Sequence, residues 1–265
     1  MSAEETSITH DDGATTTLES WGERGPVVLC VHGITSSRKS WTKLGRRLSG
    51  RYRVVAYDQR GHGDSAQIQG PMTLERSLAD LAAVATVIGE PVAALVGHSW
   101  GGAVALLGGR RIAPTRVVAI DPLLRVPAGT FAADYVEELR PILSLPPGER
   151  DAAARALASH LDETEQIAKV HAMRAMSLES VARIGTENRV DEGAWDLLAD
   201  ARDYPVPLYL AVAGIDSVLA PEDVATLRAG LGPRDVLEVF ANEGHSLQRT
   251  AFEEFAAKLE AFLRA

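Results

Sequence analysis

A serine between two glycines, in the segment Gly97–Gly101 (GHSWG), is the clearest chemical feature of the sequence. It follows the apolar run VAALV and precedes AVALLGGRR, so this G-x-S-x-G pattern lies between a predicted strand and a predicted helix. A serine hydroxyl is a weak nucleophile unless a sharp turn holds it beside a base and beside donors for developing negative charge. Glycines at both ends remove the Cβ atoms that would clash where strand and helix pass closely. The pattern predicts that Ser99 is a nucleophile.

Short Val-rich runs alternate with amphipathic stretches, and this alternation predicts the elements that position Ser99. Near-continuous apolar runs are typical of strands covered on both faces. The runs are Val27–Val31, Tyr52–Tyr57, Val92–Val96, Arg116–Ile120, Pro207–Ala213 and Asp235–Phe240. Thr15–Trp21 resembles an antiparallel strand, Leu74–Ile88 has helical spacing, and Thr250–Glu253 has the spacing of a capping box before a terminal helix. The predicted fold is α/β, with a mostly parallel central sheet of about eight strands flanked by helices.

The alternation breaks between Pro122 and Tyr204, where no convincing strand is found. This stretch is rich in alanine, has helical spacing, and is interrupted by several prolines. We therefore expect two domains. A core domain would comprise residues 1–121 and 205–265, and a helical cap (residues 122–204) would lie over the carboxyl ends of the strands.

Four short motifs, taken together and in order, resemble those of the α/β-hydrolase family. They are Val31–Ile34 (VHGI), Tyr57–Ser65 (YDQRGHGDS), Gly97–Gly101 (GHSWG) and Asn242–Ser246 (NEGHS). In that family the first motif belongs to the oxyanion loop, and the last places a histidine before the terminal helix. Each motif alone is short, whereas four in the correct order are specific and span nearly the whole chain. The resemblance implies a triad in the order serine, acid, histidine.

Carried over residue by residue, the resemblance implies that Ser99 is the nucleophile and His245 the base. Two residues could supply the acid. Asp216 follows the run PLYLAVAG, where the family usually places its acid, although the glycine common three residues earlier is absent here. Asp121 follows the preceding run, where some relatives carry their acid, but its position before Pro122 favours a role as a helix or turn cap. We favour Asp216 and keep Asp121 as the alternative; either would orient the imidazole.

The resemblance also implies an oxyanion hole made by the backbone N–H groups of Ile34 and Trp100. Apolar residues of the insert are predicted to face the substrate. They are Phe131, Tyr135, Leu139, Met173, Met176 and Trp195. Methionine side chains adapt their shape, so such a pocket would accept uncharged or apolar acyl groups of several lengths in preference to polyanionic substrates.

Composition narrows the classes of partner. The 265 residues are 46% hydrophobic and 24% charged, as in globular proteins, and the net charge of −9 disfavours a nucleic acid or an anionic membrane. The single Cys30 excludes an internal disulfide and a Cys-rich zinc site.

Asp58, His62 and Asp64 are close in sequence, but the resemblance implies a structural turn there, so we expect no metal and no cofactor. The start is polar and acidic and no apolar run approaches the roughly 18 residues of a membrane span, so we expect a cytoplasmic protein.

Together these features predict a serine hydrolase that cleaves a small or medium acyl substrate, preferably a carboxylic ester or lactone, through an acyl-enzyme. Hydrolysis of C–C bonds, thioesters or amides and cofactor-free perhydrolysis would use the same triad and remain alternatives. A ligand-binding receptor that keeps the triad is the non-enzyme alternative. No feature of the sequence indicates an oligomeric state.

Overall fold

A computed structural model describes residues 4–128 and 133–265, with the backbone alone for 133–135. The strands are β1 (Glu4–Thr9), β2 (Thr15–Trp21), β3 (Val27–Val31), β4 (Arg53–Tyr57), β5 (Val92–His98), β6 (Arg116–Ile120), β7 (Arg125–Pro127), β8 (Ala194–Asp196), β9 (Leu208–Ala213) and β10 (Val236–Phe240). Eight of them form one sheet in the order β1-β2-β4-β3-β5-β6-β9-β10. The strands from β4 to β10 in that order are parallel, and β1 and β2 are antiparallel to their neighbours.

The described residues form ten α-helices. They are α1 (Thr42–Leu48), α2 (Leu74–Ile88), α3 (Trp100–Ile112), α4 (Ala133–Leu143), α5 (Pro147–Leu157), α6 (Glu163–Ala175), α7 (Leu178–Glu187), α8 (Pro221–Gly230), α9 (Leu247–Thr250) and α10 (Phe252–Arg264). Alternate residues of β3 divide between two cores: Leu29 packs in the core that includes α2 and α3, and Cys30 in the core that includes α1 and α10. All of β3 is buried, as expected for a strand covered on both faces. None of the helices in the described residues is long and apolar enough to cross a membrane.

The predicted sheet is confirmed, with the ends of each predicted strand within two residues of those observed. β1 was not predicted, because its sequence EETSIT has no apolar alternation and only Ile8 is buried. The predicted capping box at Thr250 is wrong. Thr250 belongs to the short helix α9 and its hydroxyl donates to Glu243 Oε2 at 2.5 Å, so α10 begins at Phe252 without a side-chain cap.

Residues 122–204, called the insert below, contain α4 to α7 and the short ribbon of β7 and β8. The ribbon was not predicted because three residues are too few to show a pattern. Helices of the insert share a separate hydrophobic cluster of their own. Polar contacts join the insert to the rest of the chain: His171 Nδ1 is 3.0 Å from Ser37 Oγ, and Asp162 Oδ2 is 2.6 Å from Lys43 Nζ.

Candidate active site

Ser99 occupies a sharp turn between β5 and α3. Its backbone has φ 56° and ψ −120°, a positive φ that is unfavourable for a residue with a Cβ. Ser99 N donates to the carbonyl oxygen of Ile120 over 2.9 Å. The carbonyl oxygen of Ser99 accepts from the N–H groups of Gly102 at 2.8 Å and Leu123 at 3.0 Å. The end of β6 and the start of α3 therefore hold the strained turn in place.

The glycines on either side of Ser99 allow this close packing. A Cβ built on Gly97 would overlap the carbonyl oxygen of Gly101. A Cβ built on Gly101 would overlap the carbonyl oxygens of Val31 and His32, in the loop after β3. The predicted reason for both glycines is confirmed.

His245 lies in the loop between β10 and α9, with its Nδ1 2.6 Å from Oδ2 of Asp121. An ionised carboxylate only accepts hydrogen bonds, so Nδ1 carries a proton and Nε2 is the nitrogen left to accept one. Asp121 follows β6 directly and is wholly buried. This is the relation between base and acid that a Ser–His–Asp triad requires.

Several donors hold the Asp121 carboxylate. Oδ1 accepts from Ala213 N at 3.0 Å and from Ser217 Oγ at 2.6 Å, and Oδ2 accepts from Val218 N at 3.2 Å as well as from His245. Burial raises the pKa of this carboxyl, but the hydrogen bond and charge of His245, with Ser217 and Ala213, outweigh burial and bring the pKa below its ordinary value. Asp121 is therefore ionised at neutral pH.

The pairing with Asp121 corrects our preference for Asp216 as the acid. Asp216 is exposed in the turn after β9, has φ 49°, and its side chain makes no hydrogen bond or ion pair with any described residue. The turn brings Ser217 and Val218 to the Asp121 carboxylate and leaves Asp216 facing solvent. Because β6 and β9 are neighbours in the sheet, an acid after either strand can serve the same histidine, and the sequence alone favoured the wrong one.

His98, the last residue of β5, supports the loop that carries His245. Its Nε2 lies 2.9 Å from the carbonyl oxygen of His245, and a carbonyl only accepts, so Nε2 is protonated and donates. Burial, followed by the nearby charge of His245, lowers the pKa of His98 to about 3. His98 therefore stays neutral and positions His245 without competing with it for a proton.

The loop after β3 brings Ile34, one predicted oxyanion donor, to the nucleophile. His32 braces this loop: its Nδ1 donates to the Gly33 oxygen at 2.8 Å, and its Nε2 accepts from Gln59 N at 3.0 Å. A Cβ on Gly33 would lie 3.0 Å from Ser99 Cβ, so glycine permits the approach. The other predicted donor, Trp100, begins α3, which puts its N–H at the positive end of the helix dipole and next to Ser99 in the chain.

Ser99 and His245 line the same cavity, of about 150 Å³, at the carboxyl ends of the parallel strands. The loop after β3 contributes Ile34, Thr35 and Ser36, the insert contributes Leu123 and Lys169, and the segment after β10 contributes His245, Ser246, Gln248 and Arg249. The Ser99 hydroxyl makes no hydrogen bond with the described residues, so it is available to a substrate. An available hydroxyl and an oriented imidazole in one small cavity are the groups that acyl transfer would require.

Comparison with known proteins agrees with this geometry. A model of the alpha/beta hydrolase family matches residues 28–258. The chain belongs to the alpha/beta hydrolase family. It is 35% identical over 124 residues to a non-heme haloperoxidase of Rhodococcus erythropolis, a match that covers 44% of this chain and 45% of the relative. It is 37% identical over 97 residues to a bifunctional esterase/perhydrolase of Acinetobacter calcoaceticus, covering 36% of this chain and 35% of the relative.

The chain thus spans less than half the length of either curated relative. Among solved structures, the thioesterase domain from the curacin biosynthetic pathway superposes with a TM-score of 0.77 at 21% identity, covering 98% of this chain and 100% of that domain. At this identity the likeness concerns the fold alone. The predicted enzyme class, an α/β hydrolase, is confirmed at the level of the family.

The apolar residues predicted to face substrate in this α/β hydrolase do not line the cavity where the structure describes them. Met173 and Met176 are 0% and 1% exposed and pack with Leu139 in the insert's own cluster. The Trp195 ring stacks on that of Trp100, with centroids 6.0 Å apart. Helical spacing identifies an apolar face, but it does not distinguish packing on a neighbouring helix from exposure to a pocket. Phe131 and the side chain of Tyr135 lie outside the described residues.

Sequence reasoning missed five polar residues of the cavity: Thr35, Ser36, Lys169, Gln248 and Arg249. Gln248 and Arg249 follow His245 closely in the chain, and this proximity could have indicated them. Nothing in the sequence of α6 distinguishes Lys169 from a surface lysine. Burial, followed by the charge of Arg249, lowers the pKa of Lys169 to about 8.

Among the described residues, one group has the spacing of metal ligands: atoms of Asp58, Asp64 and His171 lie within 4.8 Å of one another. The Arg38 guanidinium already pairs with Asp58 and lies 2.7 Å from Asp64 Oδ2. Because this guanidinium supplies the positive charge that a metal would bring, the group is an ion-pair network of the fold.

Proposed function

We propose that this α/β hydrolase is a serine hydrolase that cleaves a small acyl ester or lactone with Ser99, His245 and Asp121. The observation that carries the proposal is the 2.6 Å hydrogen bond between His245 Nδ1 and Asp121 Oδ2, together with the position of Ser99 in the same cavity. These side chains come from three separate segments of the chain, and few functions other than nucleophilic catalysis would require that arrangement.

In the first half of the reaction, Ser99 Oγ attacks the substrate carbonyl carbon while His245 Nε2 accepts the hydroxyl proton. Asp121 keeps the other imidazole nitrogen protonated and stabilises the imidazolium that forms. The backbone N–H groups of Ile34 and Trp100 would donate to the developing oxyanion, each such donor being worth roughly 3 kcal/mol in comparable sites. The tetrahedral intermediate then expels the alcohol, which takes the proton from His245, and an acyl-enzyme remains.

In the second half, His245 Nε2 accepts a proton from water as the water oxygen attacks the acyl carbon. A second tetrahedral intermediate forms at the same oxyanion site. Ser99 Oγ leaves, takes the proton back from His245, and the carboxylic acid is released. Every proton transfer uses the same imidazole, so no further group is required.

The insert serves in this proposal as the cap of the site, as expected from the sequence. Leu123 and Lys169 of the insert line the cavity with Ser99, which supports a role in selecting the substrate. The contact between His171 and Ser37 would hold α6 over the loop after β3.

Perhydrolysis is a second candidate, favoured by the match to a bifunctional esterase/perhydrolase. In that reaction hydrogen peroxide would take the place of water in attacking the acyl-enzyme, and a peracid would leave. The first half of the reaction would be identical. The two activities are separated by measuring peracid formation against acid formation when peroxide is added.

The nucleophile is tested with a fluorophosphonate probe, which reacts covalently with activated serines. We expect labelling at Ser99 and turnover of short-chain esters or lactones, with both lost in Ser99→Ala. Ser36→Ala is the matched control, because Ser36 lines the same cavity but lies outside the strand–helix turn, so it should retain labelling. Labelling at any other serine, or turnover that survives Ser99→Ala, would contradict the proposal. Binding of esters with no turnover at all would favour the receptor alternative.

A further inference from the structure

Lys169 places a positive charge in the wall of the candidate active-site cavity. The lysine lies on α6 and is partly buried, and it makes no hydrogen bond or ion pair with any of the described residues. Lysines normally extend their ammonium groups into water or toward a carboxylate. An unpaired ammonium facing a small cavity therefore indicates that its partner is absent from the described protein.

The neighbouring charges do not compensate Lys169. Arg249 lines the same cavity, but its Nε lies 2.6 Å from Glu165 Oε2 and a further guanidinium nitrogen lies 3.1 Å from the Glu165 carbonyl oxygen. This ion pair uses the one buried carboxylate found near Lys169 on α6. Asp121 does not line the cavity, and its carboxylate is engaged by His245. Glu138 acts on Lys169 from a distance but forms no ion pair with it, so no described carboxylate pairs with this ammonium.

The position is unfavourable for a cation without a ligand. Burial and the like charge of Arg249 both lower the pKa of Lys169, with only Glu138 opposing them. Beside it, Gln248 lines the same cavity and its side chain makes no hydrogen bond with the described residues. Its Oε1 is fully buried, whereas Nε2, the donor of the amide, is not. Neither the Lys169 ammonium nor the Gln248 Nε2 has a partner among the described residues, and both are donors of the kind that a carboxylate accepts.

We propose that Lys169 binds a carboxylate group of the substrate, so that the substrates are esters or lactones that carry a carboxylate in addition to the acyl group that is cleaved. This inference rests on the proposed hydrolase function and names its substrate class. It replaces our expectation from the sequence of uncharged or apolar acyl groups, which depended on methionines that the structure places in the insert's core. Gln248 would donate a second hydrogen bond to the same carboxylate.

The experiment compares two esters: ethyl hydrogen glutarate, which carries a carboxylate, and ethyl pentanoate, which does not. Ethanol release gives the ratio of kcat/KM for the charged ester to that for the neutral one. Lys169→Met should lower this ratio on the order of 10- to 100-fold, the range expected for losing one charge-assisted hydrogen bond. Lys169→Gln provides a second neutral variant if Met perturbs folding. Lys258→Met is the matched control. Lys258 lies on α10, outside the cavity, and pairs with Glu238 of β10, so this variant should keep the wild-type ratio.

A binding measurement separates this inference from the proposed catalytic function. In the Ser99→Ala background, titration calorimetry with ethyl hydrogen glutarate should show binding that weakens at least about tenfold when Lys169 is also replaced by Met. Equal affinity in both backgrounds, absence of binding, or a wild-type preference for ethyl pentanoate would overturn the inference. If fluorophosphonate labelling of Ser99 failed while Lys169-dependent binding persisted, the catalytic proposal would fall and the carboxylate site would stand.

Discussion

Replacing Asp121 by asparagine perturbs the candidate triad at one defined atom. In the native site Oδ2 of Asp121 accepts from His245 Nδ1 at 2.6 Å and from Val218 N at 3.2 Å, and Oδ1 accepts from Ala213 N and Ser217 Oγ. Asparagine has a single oxygen. If that oxygen keeps the position of Oδ1, its NH₂ group faces two donors, the His245 Nδ1–H and the Val218 N–H.

His245 can form a hydrogen bond with this NH₂ group only by changing its tautomer. His245 Nδ1 would then accept from the amide and Nε2 would carry the proton, so it could no longer accept the proton of Ser99. The same change in an unrelated triad lowers kcat by about 10⁴, which corresponds to about 5 kcal/mol of activation free energy. The Val218 N–H would also lose its acceptor, at a cost of about 1–3 kcal/mol in the free energy of unfolding. If the amide flips instead, the Ala213 N–H loses its acceptor at a similar cost.

The assay combines kcat on a short-chain ester, the rate of fluorophosphonate labelling, and urea unfolding. Asp121→Asn should lose between 10³- and 10⁵-fold in kcat, around the value of about 10⁴ given above, and remain folded. Asp216→Asn is the matched control, and because Asp216 is exposed and unpaired its kcat and stability should stay close to wild type, within about 0.5 kcal/mol for stability. The reasoning is refuted if Asp216→Asn is the variant that loses activity by orders of magnitude.

Two further predictions concern the insert. Met173→Ala should lower the free energy of unfolding by about 2–5 kcal/mol with little change in the relative kcat/KM across ester chain lengths, because Met173 is buried in the insert's own cluster. The control is Ile167→Ala: Ile167 is half exposed on the same helix, so its free energy of unfolding should stay within about 0.5 kcal/mol of wild type. A selective change in chain-length preference in Met173→Ala would contradict this placement. The preference for the carboxylate-bearing ester should fall as pH rises through about 8. Burial and the charge of Arg249, against the opposing charge of Glu138, lower the pKa of Lys169 to about 8. The ammonium is therefore charged below that pH and neutral above it. His98 stays neutral over this range, because burial and the charge of His245 lower its pKa to about 3. A ratio that is flat from pH 6 to 10 would contradict the assignment.

Local requirements of the chain explain what could be predicted from the sequence. The parallel strands are Val-rich because both of their faces are covered, and this leaves a continuous apolar run that can be recognised without neighbours. Ser99 was predictable for a similar reason: the glycines that its turn needs are only two residues away on either side. The edge strand β1 carries no such requirement, because solvent covers most of its side chains.

Residues whose roles depend on distant contacts could not be predicted. Asp121 and Asp216 both follow strands, and only the path of the turn after β9 decides which carboxylate meets His245. Met173 and Lys169 both lie on α6, and only the packing of that helix decides that Met173 enters a core while Lys169 lines a cavity.

The end of β6 explains why Asp121 is better suited than Asp216 to orient the base. The carbonyl oxygen of Ile120 accepts from Ser99 N at 2.9 Å, and the next residue along the chain, Asp121, accepts from His245 Nδ1 at 2.6 Å. Asp121 N in turn donates to the Ala211 oxygen of β9 at 2.7 Å, so this segment is anchored to the strands on both of its sides. Ser99 and Asp121, the proposed nucleophile and acid, are thereby held at the end of one buried strand, Ser99 by its hydrogen bond to Ile120 and Asp121 as the next residue of the chain. Asp216 lies instead in an exposed turn, and its side chain makes no hydrogen bond with the described residues that could fix its position relative to Ser99.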